Sequence, residues 1–285
     1  MTSSPRPLDH CVLPTADLDV ARDRLTRLGF TVAPNGLHPF GTENCCVYFA
    51  DGTFLEPLAV ADQAKAEEAA RQGNVFIARD RDWRSRHGED GFTALVFAST
   101  DADDDHARFV RAGVSAGSQL SFSRPFVDAS GKQDVASFKL AFAADQRAPD
   151  VYFFACERVN APAVDRSALQ RHANGVSRTK AIRLEAGAPR DFAALLSALT
   201  GSAGVETASG LRFPASNGDV LVERSADAAR PDAGLLLTGI VFRVTSLADV
   251  AALLTEGGVE HTMQQGRIIV PPAPGQGAQF IFEEA

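Results

Sequence analysis

The chain has 285 residues, 45% of them hydrophobic and 22% charged, with 28 Lys and Arg against 36 Asp and Glu for a formal net charge of −8. That composition is globular rather than disordered, and its acidic sign gives no electrostatic reason to bind nucleic acid or an anionic membrane surface. The length suits one large domain or two ordinary ones, no apolar run approaches the ~18–20 residues of a membrane span, and the first residues lack the basic and apolar regions of a secretory signal.

In chain order, the first predicted element is a short apolar strand over residues 8–13, followed by a helix over 17–28 with Leu18, Ala21, Leu25 and Leu28 at helical spacing. Gly29 ends the helix, and Phe30, Thr31 and Val32 open a new strand. Further strands are expected at 44–50 and 53–60, then a solvated crossover helix at 62–72. The same order recurs three times: strand 93–98 with helix 101–111 and a restart at Gly113, strand 181–184 with helix 189–199 and a restart at Gly204, and strand 237–244 with helix 247–254 and a restart at Gly258. Later strand segments complete each copy, at 135–142 with 151–156, 211–213 with 220–223, and 267–270 with 279–282.

Each copy therefore reads βαβββ. A unit of ~50 residues buries too little surface to stand alone, so the copies are expected to pair. The expected fold is α+β, with four βαβββ modules paired into two domains, 8–158 and 178–285. Between them, residues 159–177 form a connector with room for one short helix. Cys11, Cys45, Cys46 and Cys156 include no CxxC pair and read as buried thiols of a reducing, cytoplasmic protein.

The repeat, and the residues it carries, resembles the vicinal oxygen chelate superfamily of glyoxalases, bleomycin-resistance proteins and extradiol dioxygenases. Leu8-Asp9-His10, Ala16-Asp17-Leu18, Leu28-Gly29-Phe30-Thr31-Val32, His38-Pro39, Gly41-Thr42-Glu43-Asn44 and Asp51-Gly52-Thr53-Phe54-Leu55-Glu56 carry the likeness, closest to a glyoxalase-like subgroup. The resemblance implies cupped mixed sheets around a cleft that holds a divalent metal. Position by position, His10 matches the first-strand ligand and Glu56 the fourth-strand ligand. An imidazole with a carboxylate suits Fe, Mn, Ni, Co or Zn. The bland alternative is that the two groups bond each other or water on the cleft wall.

The other copies depart from this pattern. Ala94 or Leu95, Ala181 and Gly239 stand at their first-strand ligand positions, so an extradiol-type iron site is incomplete. Glu157, at the end of a fourth strand, is the candidate third ligand, or else a solvated strand end. His38 sits in a loop where it could act as acid, base or substrate contact, and His172 lies in the connector. Glu56, Glu157 and His38 are thus the candidate catalytic groups, and His10, Glu56 and Glu157 the candidate metal ligands. Gly113-Val114-Ser115-Ala116-Gly117 matches GxSxG but follows a helix, the wrong context for a nucleophile elbow.

These features point to a metal-dependent enzyme acting on a small oxygen-rich molecule, by isomerase, lyase or epimerase chemistry through a metal-stabilised enolate. A metal-free small-molecule binding or resistance protein is the alternative. A non-haem iron dioxygenase is the third, and it needs a second histidine from His38 or His172. The expected partner is a small-molecule substrate, without nucleic acid or membrane, in a monomer or homodimer.

Overall fold

In copies one, two and four, an apolar strand runs into a helix whose first turn is capped by a polar side chain, Asp17, Asp101 or Ser246, whereas the third copy enters its helix through a 3-10 turn without a side-chain cap. In a computed structural model that describes residues 4–127, 133–225 and 234–284, β1 (Leu8–Pro14) leads to α1 (Leu18–Arg27). The Asp17 carboxylate accepts from the backbone N–H of Asp19 at 2.6 Å, satisfying a donor that the helix itself cannot. Gly29, at φ +83°, ends the helix in a conformation that side chains resist. The copy continues through β2 (Gly36–Leu37), β3 (Thr42–Asn44), β4 (Val47–Tyr48) and β5 (Phe54–Val60).

Two helices, α2 (Gln63–Arg71) and α3 (Val75–His87), lead to the second copy. That copy holds β6 (Ala94–Ser99), α4 (Ala102–Arg111), β7 (Leu120–Val127), β8 (Gln133–Ala143) and β9 (Tyr152–Asn160). The third comprises β10 (Arg178–Ala186), a 3-10 turn at Pro189–Phe192, α5 (Ala193–Thr200), β11 (Val205–Glu206), β12 (Gly210–Pro214) and β13 (Asp219–Arg224). The fourth comprises β14 (Leu236–Val244), α6 (Leu247–Glu256), β15 (Thr262–Gln264), β16 (Arg267–Val270) and β17 (Gln279–Glu284). The expected βαβββ order is present in copies two to four, and in copy one with its third strand broken into β3 and β4, both of which pair with β5.

Copies one and two share one curved mixed sheet, ordered β2-β3-β5-β1-β6-β9-β8-β7 with β4 on β5. Copies three and four share the other, ordered β11-β12-β13-β10-β14-β17-β16-β15. The first strands of two copies meet antiparallel at the centre, and each has its own fourth strand parallel on its outer side. The two sheets share one irregularity at the start of their central pairing. β1 pairs with β6 through a bulge between Leu8 and His10, and β10 pairs with β14 through a bulge between Thr179 and Ala181. Asp9 and Lys180 are thus equivalent extra residues, and Ala181 stands where β1 has His10.

The halves share one apolar core. Phe30 is its hub, 3% exposed, with its ring centroid 5.5 Å from Phe242, 6.0 Å from Phe280 and 6.1 Å from Phe49. The start of β1 is held by the second half: Leu8 N–H donates to Asn217 Oδ1 at 2.8 Å, and Asn217 Nδ2 donates to Leu8 O at 3.0 Å. Arg24 donates twice to Gln276 Oε1 across the same junction.

Three local expectations are corrected. Phe30, Thr31 and Val32 form no strand, because the connector takes the backbone donor: Thr31 N–H bonds His172 Nδ1 at 3.0 Å. The connector carries no helix. α3 was not foreseen, because its inner face mixes Phe76, Ile77 and Trp83 with buried Asp80 and Arg84, which blurs an apolar stripe. Among the described residues, no helix is long and apolar enough to cross a membrane. All four cysteines are buried and free.

Candidate functional site

The concave face of the first sheet bounds a cavity of about 340 Å³, and His10, His38, Asn44, Glu56 and Cys156 all line it. His10 reaches it from β1, its ring stacked on Phe54 with centroids 4.3 Å apart and its edge toward Phe154. Strand alternation would send Asp9 to the other face. The bulge instead turns it beside His10, whose Nδ1 lies 2.7 Å from Asp9 Oδ2. Arg158, on β9, holds Asp9 with contacts of 2.7 and 3.0 Å.

Glu56 comes from β5, two places along from the residue facing His10: β1 pairs His10 with Phe54 and Val12 with Glu56. Its Oε2 lies 3.3 Å from His10 Nε2, and its Oε1 accepts from Asn44 Nδ2 at 2.6 Å. His38, on the turn between β2 and β3, places Nε2 3.7 Å from Glu56 Oε1 while Nδ1 meets Thr42 Oγ1 at 2.9 Å. Two imidazoles therefore flank one carboxylate.

The electrostatics follow from burial and pairing. Burial alone raises a carboxylate pKa, but the His10 hydrogen bond and charge outweigh it and hold Glu56 down at about 2. Asp9 is lowered in the same way, burial being overcome by His10 and Arg158. Burial disfavours charge on His10, yet the hydrogen bonds to Asp9 and Glu56 raise its pKa above the usual value. His38 is pushed down to about 4, chiefly by burial and despite Glu56. At neutral pH His38 is a neutral base beside an ionised carboxylate.

The structure brings His10, Glu56 and His38 together and leaves out two other candidates. Glu157 lies on the opposite face of β9, where its Oε2 accepts from the backbone N–H of Ala102 at the start of α4, at 2.9 Å. The residues of β9 that line the cavity are Phe154, Cys156 and Arg158, so an expectation one residue out of register picked the wrong face. Glu157 is corrected from ligand to helix partner. His172 bonds Thr31 N–H and Tyr48 O and packs on Phe30 and Phe49 at the junction of the two halves. Asp9, Asn44, Cys156 and Arg158 received no role from the sequence. Asp9 carried the same signal as His10, a polar residue in an apolar strand, and Asn44 stood at the start of the predicted strand 44–50.

His10 Nε2 and the Glu56 carboxylate face each other, and Asp9 on Nδ1 is the outer partner that a metal-bound imidazole usually has. The second copy adds no imidazole or carboxylate: Val96 pairs with His10, and the cavity-facing place on β9 holds Cys156, whose thiol pKa burial raises. Among the described residues, no three His, Cys, Asp or Glu side chains form a group able to hold a metal ion. His10 Nε2 and the Glu56 carboxylate are thus two donors facing each other, one short of a three-side-chain set. In the second sheet the equivalent places hold Ala181 and Leu221, closed off by Val241 and Ile281.

A family model described as a glyoxalase-like domain matches residues 8–200. The chain belongs to that family, which is consistent with the vicinal oxygen chelate superfamily. No curated protein matches the sequence. Among solved structures, a hypothetical protein from Staphylococcus aureus aligns at TM-score 0.68 and 12% identity, over 98% of this chain and 99% of that one. A mutant 4-hydroxymandelate synthase from Streptomyces coelicolor aligns at TM-score 0.64 and 15% identity, over 99% and 93%. The Mn(II)-bound glyoxalase from Novosphingobium aromaticivorans aligns at 0.55 and 10%, over 99% and 83%. At these identities the likeness is one of fold.

Proposed function

We propose that the protein is a metal-dependent enzyme of the glyoxalase-like type, working in the cytoplasm on a small oxygenated organic molecule bound in the cavity of the first half. The carrying observation is the 3.3 Å approach of His10 Nε2 to Glu56 Oε2, with Asp9 on the other ring nitrogen. With Nδ1–H given to Asp9, Nε2 turns toward an ionised carboxylate, and only a cation between them makes that approach favourable. A proton serves, and so does a divalent metal of the Fe, Mn, Ni, Co or Zn group, which the mixed nitrogen and oxygen donors suit.

When bound, the ion would act as a Lewis acid on a substrate carbonyl or enolate oxygen. The protein's own groups supply the rest. Asp9 and Arg158 fix the His10 ring, and Asn44 fixes the Glu56 carboxylate. His38, neutral and within the same cavity, can take a proton at Nε2 from carbon next to the carbonyl and return it elsewhere, as an isomerase, lyase or epimerase requires. The phenyl rings around it exclude water from that transfer.

The test is elemental analysis of untagged protein, with His10→Ala and Glu56→Gln beside it. The wild type should carry a divalent metal near one equivalent, and each variant should lose it. A wild type that holds no metal after reconstitution defeats the reading. One observation favours a second reading, a metal-free binding protein: among the described residues no third donor joins the pair, and a proton on His10 satisfies Asp9 and Glu56 unaided.

A further inference from the structure

We propose that the cavity is built for an organic acid anion carried on an apolar, ring-bearing body, with its charged head met by Arg124 and Arg166. This rests on the reading above for which end of the cavity reacts, and it adds the class of substrate. The protein is acidic overall, yet the groups lining this cavity include three guanidinium ions and one carboxylate, Glu56. Arg158 is committed to Asp9. Arg124 and Arg166 have no carboxylate partner among the described residues.

Both are held in place without being neutralised. The Arg124 guanidinium carbon lies 5.8 Å from the centroid of the Phe138 ring, and that of Arg166 lies 4.9 Å from the Tyr48 ring. Contact with an aromatic ring fixes a guanidinium while leaving its N–H donors available. Room for Arg124 is made by Gly36, where a Cβ would collide with the Arg124 Nη1 atom. The two come from separate elements, Arg124 from β7 and Arg166 from the connector, and so approach the cavity independently.

Much of the remaining wall is made of phenyl rings: Phe40, Phe54, Phe76, Phe122, Phe138 and Phe154. Such a wall takes a flat apolar body. It also lowers the local dielectric around the half-buried Arg124, which an anion satisfies and an uncharged ligand does not, while the exposed Arg166 adds its charge from the solvent side. A divalent ion at His10 and Glu56 would add to the same preference.

The test is calorimetric titration of the full chain with benzoate, benzyl alcohol and acetate, which separate the head from the body. Benzoate should bind at least about tenfold more tightly than either control, and Arg124→Gln or Arg166→Gln should each weaken it by about tenfold, the loss expected of one charged hydrogen bond. Both variants should keep benzyl alcohol affinity and wild-type metal content. Arg124→Lys, which keeps the charge but not the planar fork, should fall between. Equal binding of benzoate and benzyl alcohol, no benzoate binding, or undiminished benzoate affinity in both Gln variants would overturn the proposal. Metal-free protein with an intact benzoate preference would defeat only the metal reading. Metal-loaded protein without that preference would defeat only this one.

Discussion

Asp9 and His10 are consecutive residues of one strand, and their side chains nevertheless meet, Oδ2 to Nδ1, at 2.7 Å. A regular strand forbids this, because neighbours point to opposite faces. One extra residue in β1 against β6 makes it possible. The bulge converts a carboxylate destined for the apolar side into the group that orients the imidazole.

Asp9→Asn tests that role. The ring would lose its charged partner while keeping its place in the strand, so metal affinity should fall by ~10–100-fold, the usual cost of losing an outer partner of a metal-bound histidine. Metal titration by competition with a chromophoric chelator reads the change. An Asn variant that binds metal like the wild type would mean that Asp9 serves Arg158 rather than His10.

Glu157→Gln should behave differently. Its carboxylate faces the start of α4 and accepts from Ala102 N–H, so the substitution should leave metal content and cavity binding unchanged. Stability should drop by ~0.3–1 kcal/mol, the worth of a negative charge at a helix N-terminus. Chemical denaturation measures that drop, and loss of metal would restore Glu157 as a ligand.

The pH dependence of stability should carry a mark of His172. Its Nδ1 accepts from Thr31 N–H and its Nε2 meets Tyr48 O, which requires the neutral ring. Burial lowers its pKa below the usual 6.5, against a smaller opposing effect of the Tyr48 carbonyl. A histidine with a lowered folded pKa is protonated first in the unfolded chain, so its share of stability is complete above about pH 6.5 and is lost as pH falls through the lowered value. Unfolding midpoints from neutral to mildly acidic pH should fall less steeply for His172→Gln than for the wild type. His38, pushed down to about 4, acts with the same sign. Parallel slopes in wild type and His172→Gln would contradict this account.

Phe30→Ala should cost about 3–5 kcal/mol, as for other large aromatic truncations in a core. Because Phe30 touches rings from both halves, the loss should shift a single unfolding transition. Two separated transitions in the calorimeter would show that the halves melt independently.

Much of the architecture was legible because strand, helix, glycine and strand recur four times with local signals: Asp17 and Asp101 cap helices, and Gly29, Gly113 and Gly258 follow them. His10 and Glu56 were legible as polar residues in apolar strands. What escaped depended on register or on distant chain. The Asp9 bulge is defined by pairing with β6, and the choice between Cys156 and Glu157 rests on which side of β9 faces inward. Arg124 and Arg158 reach the cavity from the second copy, and no local pattern announces a partner more than a hundred residues away.

The grip of Asn217 on Leu8 also bears on the order of events when the chain is made. The strand that carries Asp9 and His10 is made before the third copy, but the side chain that closes hydrogen bonds at its start lies 209 residues downstream. A nascent first half can pair β1 with β5 and β6 while its leading edge still lacks that clasp. The cavity therefore acquires its final frame only after the third copy has left the ribosome, and a chain stalled before then would present a site with a loose first strand.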